Sequence, residues 1–174
     1  HDERGGSATP FALSRFTDWT FASSTDFRPH RHDYQELLFQ HSGSARHRID
    51  GRVYELAGPA VVLISRGEVH IYESATALTG YMIRFTADFL PGDPPGSLWD
   101  YGVTPFERGG ARALALDTAE ARDLDALLGL LEREWCGGDD RHRGAVRHLL
   151  AALLIRLGRI ATRAAPATGG DGEG

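Results

Sequence analysis

Short apolar runs alternate with turn residues at regular intervals between residues 11 and 115. This alternation is typical of strands in an antiparallel sandwich or barrel. Asp50-Gly51 is a strong hairpin signal, and Ser42-Gly43-Ser44 is predicted to be a second turn between strands. The predicted strands are residues 11–16, 19–22, 34–41, 45–49, 53–56, 60–65, 69–73 and 81–86.

The spacing of apolar positions becomes helical after Asp117. Asp117 followed three residues later by Glu120 is a capping-box signature, and Gly137-Gly138 is predicted to end this helix. Leucines at helical spacing continue through a second segment of the chain. Residues 116–163 are therefore predicted to form an antiparallel hairpin of two helices.

The two predicted helices carry opposite charges. Residues 117–135 hold six acidic side chains and two arginines, whereas residues 139–163 hold two acidic side chains and six arginines. An antiparallel hairpin would bring these faces together. The apolar stripe of the second helix is wide, so we expect it to be buried against either the β region or a second chain.

Composition shifts divide the chain into four parts. Residues 1–10 are predicted to be a disordered lead, residues 11–115 the β domain, residues 116–163 the helical hairpin and residues 164–174 a flexible tail. Residues 91–112 contain several prolines and glycines and are predicted to be a long loop, which is often a functional cover. Trp99 within this loop could cap the barrel or plug an edge of the core.

Composition and charge narrow the function classes. A chain of 174 residues with 41% hydrophobic residues can form one compact domain. A net charge of -5 argues against nucleic-acid binding by this chain as a whole. All 19 basic residues are arginines, which excludes lysine-nucleophile chemistry, and one cysteine excludes an intrachain disulfide. Because neither a signal-peptide pattern nor an apolar run of about 18 residues occurs, we expect a cytoplasmic protein without a membrane partner.

Four side chains are candidate metal ligands: His30, His32, Glu36 and His70. Residues two apart in a strand share a face, and Glu36 keeps the parity of the two histidines. Three imidazoles and one carboxylate suit one divalent transition metal, with zinc or nickel fitting best and iron or manganese as further options. The alternative is a metal-free polar pocket in which the imidazoles hydrogen-bond Glu36 and an effector.

Residues of the same parity could line the pocket around these ligands. Tyr34, Leu38 and Gln40 share the parity of His32, and Tyr72 shares that of His70. Arg84 lies in an otherwise apolar strand and could meet an anionic effector or lie on a solvated outer face. The predicted ligand-binding residues are Tyr34, Leu38, Gln40, Tyr72, Arg84 and Trp99. No catalytic residue is assigned, and the histidines predicted to lie on the surface are His41, His47, His142 and His148.

The string from His30 to Gly43, H-x-H-x3-E-x6-G, resembles the first motif of the cupin superfamily. Gly67 and His70 match part of the second motif, in which serines stand at the usual proline and asparagine positions. Residues 28–38, 49–56, 63–70 and 80–90 resemble the N-terminal sensory domain of AraC-type transcription regulators. This resemblance implies a mainly β fold, a cupin (double-stranded β-helix or jelly-roll) barrel, followed by a C-terminal antiparallel hairpin of two helices.

The same resemblance implies a function and partners. A small-molecule effector would bind inside the barrel, and the C-terminal helices would form a homodimer. DNA would be bound only through a helix-turn-helix domain that is missing from this chain. Two alternatives remain open at this point: a small metal-dependent cupin enzyme, such as a dioxygenase or isomerase, and a cupin-like binding module without regulation.

Overall fold

The computed structural model describes residues 10–21, 28–92, 112–138 and 142–164. Its strands are β1 (Phe11–Phe21), β2 (Gln35–Ile49), β3 (Arg52–Ala57), β4 (Ala60–Ile64), β5 (His70–Phe85) and β6 (Ala113–Ala115). A short 3-10 helix covers Ala87–Phe89, and two helices follow, α1 (Thr118–Gly137) and α2 (His142–Ala164). The mainly β architecture followed by two helices is confirmed. Trp99 and most of the predicted loop 91–112 lie outside the described residues.

The long strands β2 and β5 form the centre of one antiparallel sheet with the strand order β1-β5-β2-β4-β6. The edge of β2 that faces away from β5 serves two partners: residues 36–40 pair with β4, and residues 44–49 pair with β3. The hairpin predicted at Asp50-Gly51 is confirmed between β2 and β3. Both of its central residues have positive φ, 45° and 80°, as a two-residue type I′ turn requires.

Both faces of the sheet are apolar, and each carries its own core cluster. We call the face without helices the inner face; its buried residues are Leu38, Ala45, Ile49, Leu56, Ala60, Val62, Ile64, Ala75 and Leu78. The outer face carries residues such as Leu37, Phe39 and Ile83, which form one cluster with the buried sides of α1 and α2. A sheet that is apolar on both faces needs cover on both, so the inner face encloses an interior of its own.

The turn predicted at residues 42–44 is wrong, because β2 runs through it without a break. The pairing register with β5 shifts between Gln40 and Ser42 and again between Ser42 and Ser44. Gly43 has a φ of 94°, and an added Cβ would lie 2.5 Å from the carbonyl oxygen of Ala77. Glycine here marks a bulge inside a strand rather than the end of one. Two other strands are longer than predicted. β1 covers the predicted strand 11–16 and most of 19–22, and β5 covers most of the predicted strands 69–73 and 81–86.

The register shifts exchange the two faces of β2. Before them, the even-numbered Leu38 and Gln40 are buried on the inner side; after them, the odd-numbered Ala45 and Ile49 belong to the inner cluster. Strand side chains alternate strictly, so one slipped residue moves every later side chain to the opposite face. The parity argument from the sequence is therefore valid only within β2 and up to the bulge; His30 and His32 lie before this strand, so the argument does not apply to them.

The helical hairpin forms as its capping and charge patterns predict. Asp117 and Glu120 make a reciprocal capping box, and Gly138 ends α1 with a left-handed φ of 69°. Arg163 pairs with Glu120 at 2.7 Å, and Arg156 pairs with Asp123. The earlier residue of α1, Glu120, pairs with the later residue of α2, Arg163, which confirms the antiparallel arrangement of the helices.

The apolar stripe of α2 is buried against the sheet of its own chain. Val146, Leu150, Leu153, Leu154 and Leu157 are each at most 1% exposed and belong to the cluster of the outer face. The first of the two expected partners, the β region, therefore covers this stripe. No helix in the described part of the chain is long and apolar enough to cross a membrane.

Candidate metal centre

The fold brings three of the four predicted ligands together. His32, Glu36 and His70 each direct one ligand atom into a group whose members all lie within 4.8 Å of one another. Glu36 is the second residue of β2 and His70 is the first residue of β5, and both are 3% exposed. The segment before β2 reaches the same place because the amide of Gly67 donates to the carbonyl oxygen of His32 at 2.9 Å.

The imidazole of His32 is oriented by the backbone. Its Nδ1 lies 2.8 Å from the carbonyl oxygen of Tyr34, so Nδ1 carries the ring proton and Nε2 is left as a lone-pair donor. This Nε2 is buried without a hydrogen-bond partner among the described residues. A ligating histidine commonly donates its second ring N–H to a carbonyl in this way. Burial also lowers the pKa of His32, with the bond to Tyr34 opposing the effect, so the neutral ligand form is favoured.

The Nε2 atom of His70 is likewise buried without a hydrogen-bond partner among the described residues. Burial lowers the pKa of His70 to about 2, and neighbouring imidazoles add to the effect. A buried polar atom without a partner is destabilising, which makes two such nitrogens beside a carboxylate unfavourable in the absence of a bound group. The donor set, imidazole nitrogen and carboxylate oxygen, fits a divalent transition metal.

Glu36 has a cationic neighbour at the same site. Arg84 donates from Nε to the Glu36 carboxylate at 3.0 Å, and its half-exposed guanidinium lies 5.6 Å from the ring of Tyr34. Burial raises the pKa of Glu36, and Arg84 opposes this shift. Tyr34 in turn stacks on His32 with ring centroids 4.1 Å apart. Arg84 therefore lies beside the candidate ligands, although the sequence favoured a solvated outer face for it.

His30 differs from the other three predicted ligands. It is exposed and lies outside the group of converging atoms. Its backbone pairs with that of His70 through two hydrogen bonds of 3.1 and 2.9 Å, and the two rings are 4.2 Å apart. Its Nδ1 lies 3.0 Å from the carbonyl oxygen of Arg28, so its Nε2 is also left as a potential lone-pair donor.

His47 corrects the sequence analysis, which placed this residue on the surface. It is 0% exposed and its Nε2 lies 3.2 Å from Nδ1 of His70. Its ring stacks on Tyr72 at 4.0 Å, and burial lowers its pKa to about 3. The register shifts in β2 turn it inward. A signal was available locally, since Ala45, His47 and Ile49 alternate with two arginines.

Comparison with known proteins identifies the family of this chain. A sequence model of the AraC-like ligand binding domain matches residues 20–158. The chain belongs to the AraC-like ligand binding domain family. A comparison with curated protein sequences gives no match.

Several solved structures are similar to this chain over part of its length. The apo form of a ToxT variant, K231A, from Vibrio cholerae superposes with a TM-score of 0.51 at 13% identity, covering 84% of this chain and 54% of that one. The AraC-like transcriptional activator CuxR superposes with a TM-score of 0.48 at 16% identity, covering 71% and 42%. A cupin protein from Bacteroides fragilis gives 0.35 at 22% identity, covering 47% and 69%. The chain thus spans about half the length of the regulators it matches.

The remaining predicted pocket residues of this AraC-like domain have different surroundings. Leu38 is 1% exposed in the inner cluster, and Tyr72 packs against that cluster. Gln40 donates its amide to the carbonyl oxygens of Gly43 and Gly58 at 3.1 and 2.9 Å, so it braces the bulge from inside. Of the histidines predicted to lie on the surface, His41 and His148 are exposed and His142 is partly exposed.

A buried ion pair that sequence reasoning missed supports the loop before His70. Glu68 and Arg112 lie 2.5 Å apart, with side chains 11% and 7% exposed. The other carboxylate oxygen of Glu68 accepts from the amide of Ser65 at 2.7 Å. The backbone of Arg112 also accepts from Leu63 at 2.9 Å, which ties β4 to the segment entering β6. Residues 44 positions apart in sequence give no local signal for such a pair.

Proposed function

We propose that this AraC-like domain is the effector-sensing and dimerisation part of a transcription regulator, and that it holds one divalent metal in its interior. The observation that carries the metal proposal is the convergence of His32, Glu36 and His70, with two buried Nε2 atoms that have no partner among the described residues. Zinc or nickel suits such a ligand set best, with iron and manganese as further options.

His30 is proposed as the fourth ligand. Like His32, it has Nδ1 next to a backbone carbonyl oxygen, which leaves Nε2 available. Its ring already lies 4.2 Å from that of His70, and its backbone is held by the bridge to His70. A rotation of this exposed ring would add it to the group. When bound, the metal would supply a Lewis-acidic centre with positions open to an effector.

The effector is proposed to be a small anion. A divalent metal held by one carboxylate and neutral imidazoles keeps a net positive charge, and the guanidinium of Arg84 adds another. Arg84 is half exposed and the ring of Tyr34 lies below it, so this side of the site is accessible and can recognise a carboxylate or a similar group. Tyr34, Leu38, Gln40 and Tyr72 are proposed to line the pocket, and Trp99 to cover it.

Dimerisation is proposed to use the outward sides of α1 and α2, since the sheet already covers their inward sides. Leu130 of α1 is 42% exposed, a large apolar residue on that outward side. Leu130→Glu should shift sedimentation from dimer to monomer without unfolding the chain. A wild-type chain that sediments as a monomer at high micromolar concentration would contradict the dimer. DNA binding is proposed to reside in a helix-turn-helix segment outside this chain.

Metal analysis tests the central proposal. Protein purified without a histidine tag is supplemented with Zn²⁺ or Ni²⁺, desalted and analysed by mass spectrometry for bound metal. We expect about one equivalent per chain, and loss of most of it in His32→Ala and His70→Ala. The matched control is His148→Ala, which removes an exposed imidazole on α2 far along the chain. Less than about a tenth of an equivalent in the wild type contradicts the metal proposal.

A further inference from the structure

His47 is a buried histidine that is not a member of the converging ligand group. Its Nε2 lies 3.2 Å from Nδ1 of His70, which is a member of that group. Its ring is held by Tyr72, whose ring lies 4.0 Å away at an angle of 22°. Its other ring nitrogen, Nδ1, is buried without a hydrogen-bond partner among the described residues, so the contact with His70 is the hydrogen bond that the described structure gives this imidazole.

The positions of the ring protons follow from which nitrogen faces the metal. Each neutral imidazole carries one proton, on either Nδ1 or Nε2. If Nε2 of His70 binds a metal, its proton must sit on Nδ1, and this N–H points at Nε2 of His47. His47 must then accept, and its own proton must sit on Nδ1. The bond allows only this arrangement once the metal is in place.

The two buried ligand histidines are oriented by different means. A backbone carbonyl, that of Tyr34, accepts from Nδ1 of His32. The backbone of His70 pairs with that of His30, and the partner of its Nδ1 is a side chain, His47. Such outer partners set the tautomer and the ring orientation of a metal ligand. A substitution can remove the partner of His70, whereas it cannot remove a backbone carbonyl.

We propose that His47 is a positioning residue of the metal centre, which accepts the Nδ1–H of His70 and so holds Nε2 of His70 toward the metal. The inference rests on the proposed metal binding and extends it to a residue outside the cupin motif. His47 does not contact the metal itself.

Three variants separate hydrogen bonding from packing. His47→Phe keeps an aromatic ring against Tyr72 but removes the acceptor. His47→Gln keeps an acceptor near the position of Nε2. His41→Phe is the matched control, because His41 is an exposed histidine on the same strand. Affinity for Zn²⁺ is measured by competition with a chromophoric chelator, and the Co²⁺ form is examined by absorption spectroscopy.

We expect His47→Phe to weaken Zn²⁺ binding by about 10- to 100-fold and to change the Co²⁺ spectrum, since the His70 ring loses its orientation. His47→Gln should stay within about threefold of the wild type, because it retains an acceptor. His41→Phe should match the wild type in both measurements. Equal affinity and an unchanged spectrum in His47→Phe would overturn the inference and leave the metal proposal intact, whereas a wild type that binds no metal would remove both.

Nitrogen-15 NMR of the Zn²⁺-loaded wild type decides the matter if His47→Phe does not fold. We expect His47 and His70 each to be protonated on Nδ1, with the Nδ1–H of His70 exchanging slowly with water. A His47 ring protonated on Nε2 would overturn the proposal, because that nitrogen could not then accept from His70.

Discussion

Replacing Glu68 by glutamine removes one charge from the buried pair with Arg112 and changes little in volume. At the observed separation of 2.5 Å, an effective dielectric constant of about 20 gives a gross attraction of about 7 kcal/mol. Desolvation of both groups offsets much of this attraction, but Glu68→Gln removes the carboxylate charge that faces the guanidinium of Arg112, whose side chain is only 7% exposed. Breaking one partner of such a pair costs about 3–5 kcal/mol. We expect a loss near the lower limit of this range, because the glutamine side chain can still accept a hydrogen bond from the amide of Ser65.

Urea denaturation of the metal-free protein measures the free energy of unfolding, and a loss of about 3 kcal/mol corresponds to a Tm lower by roughly 6–12 °C. The double variant Glu68→Gln/Arg112→Met should lose less than the sum of the two single variants, since no unpaired charge is left. Glu55→Gln is the control: its partner Arg46 is solvent-exposed, so no measurable change is expected. A Glu68→Gln variant as stable as Glu55→Gln would refute the reasoning.

Three further predictions concern the interior. His70→Ala should reduce Zn²⁺ affinity more than His30→Ala, because only His70 belongs to the buried ligand group; equal losses in calorimetric titrations would contradict this. Gly80→Ala should lower the free energy of unfolding by about 2–4 kcal/mol, because φ of Gly80 is 152° and an added Cβ would overlap the carbonyl of Phe39. Gly129→Ala in α1 should instead raise the free energy of unfolding by up to about 1 kcal/mol. Similar melting temperatures for both variants would argue against this prediction. Burial lowers the pKa of His47 to about 3 and of His70 to about 2, so below about pH 6.5 the unfolded chain binds more protons than the folded one. The contribution of the neutral rings to the free energy of unfolding of the metal-free protein is then fully present above about pH 6.5, and it falls by up to about 1.4 kcal/mol per imidazole for each pH unit below that. A free energy of unfolding that stays constant from pH 7 to 5 in urea titrations would be inconsistent with neutral buried rings.

Local patterns predicted most of the elements and part of the site. The capping box at Asp117, the hairpin at Asp50-Gly51 and the apolar stripe of α2 depend on neighbours a few residues away, so the sequence alone is sufficient for them. The spacing of His32 and Glu36 marks both as ligand candidates, but strand alternation does not place His32, because residues 31–34 come before β2 and the hydrogen bond from Gly67 fixes this segment.

Contacts between distant segments decided the rest. The bulge at Gly43 lies where β2 pairs with β5 on one edge and passes from β4 to β3 on the other. No local sequence pattern shows these pairings. The bulge reverses the parity of β2 and brings His47 to His70. In the same way, only the approach of the segment entering β6 to the loop before β5 pairs Arg112 with Glu68. Alternation along a strand is a property of the chain itself, whereas register and the partners of buried charges are properties of the packed sheet.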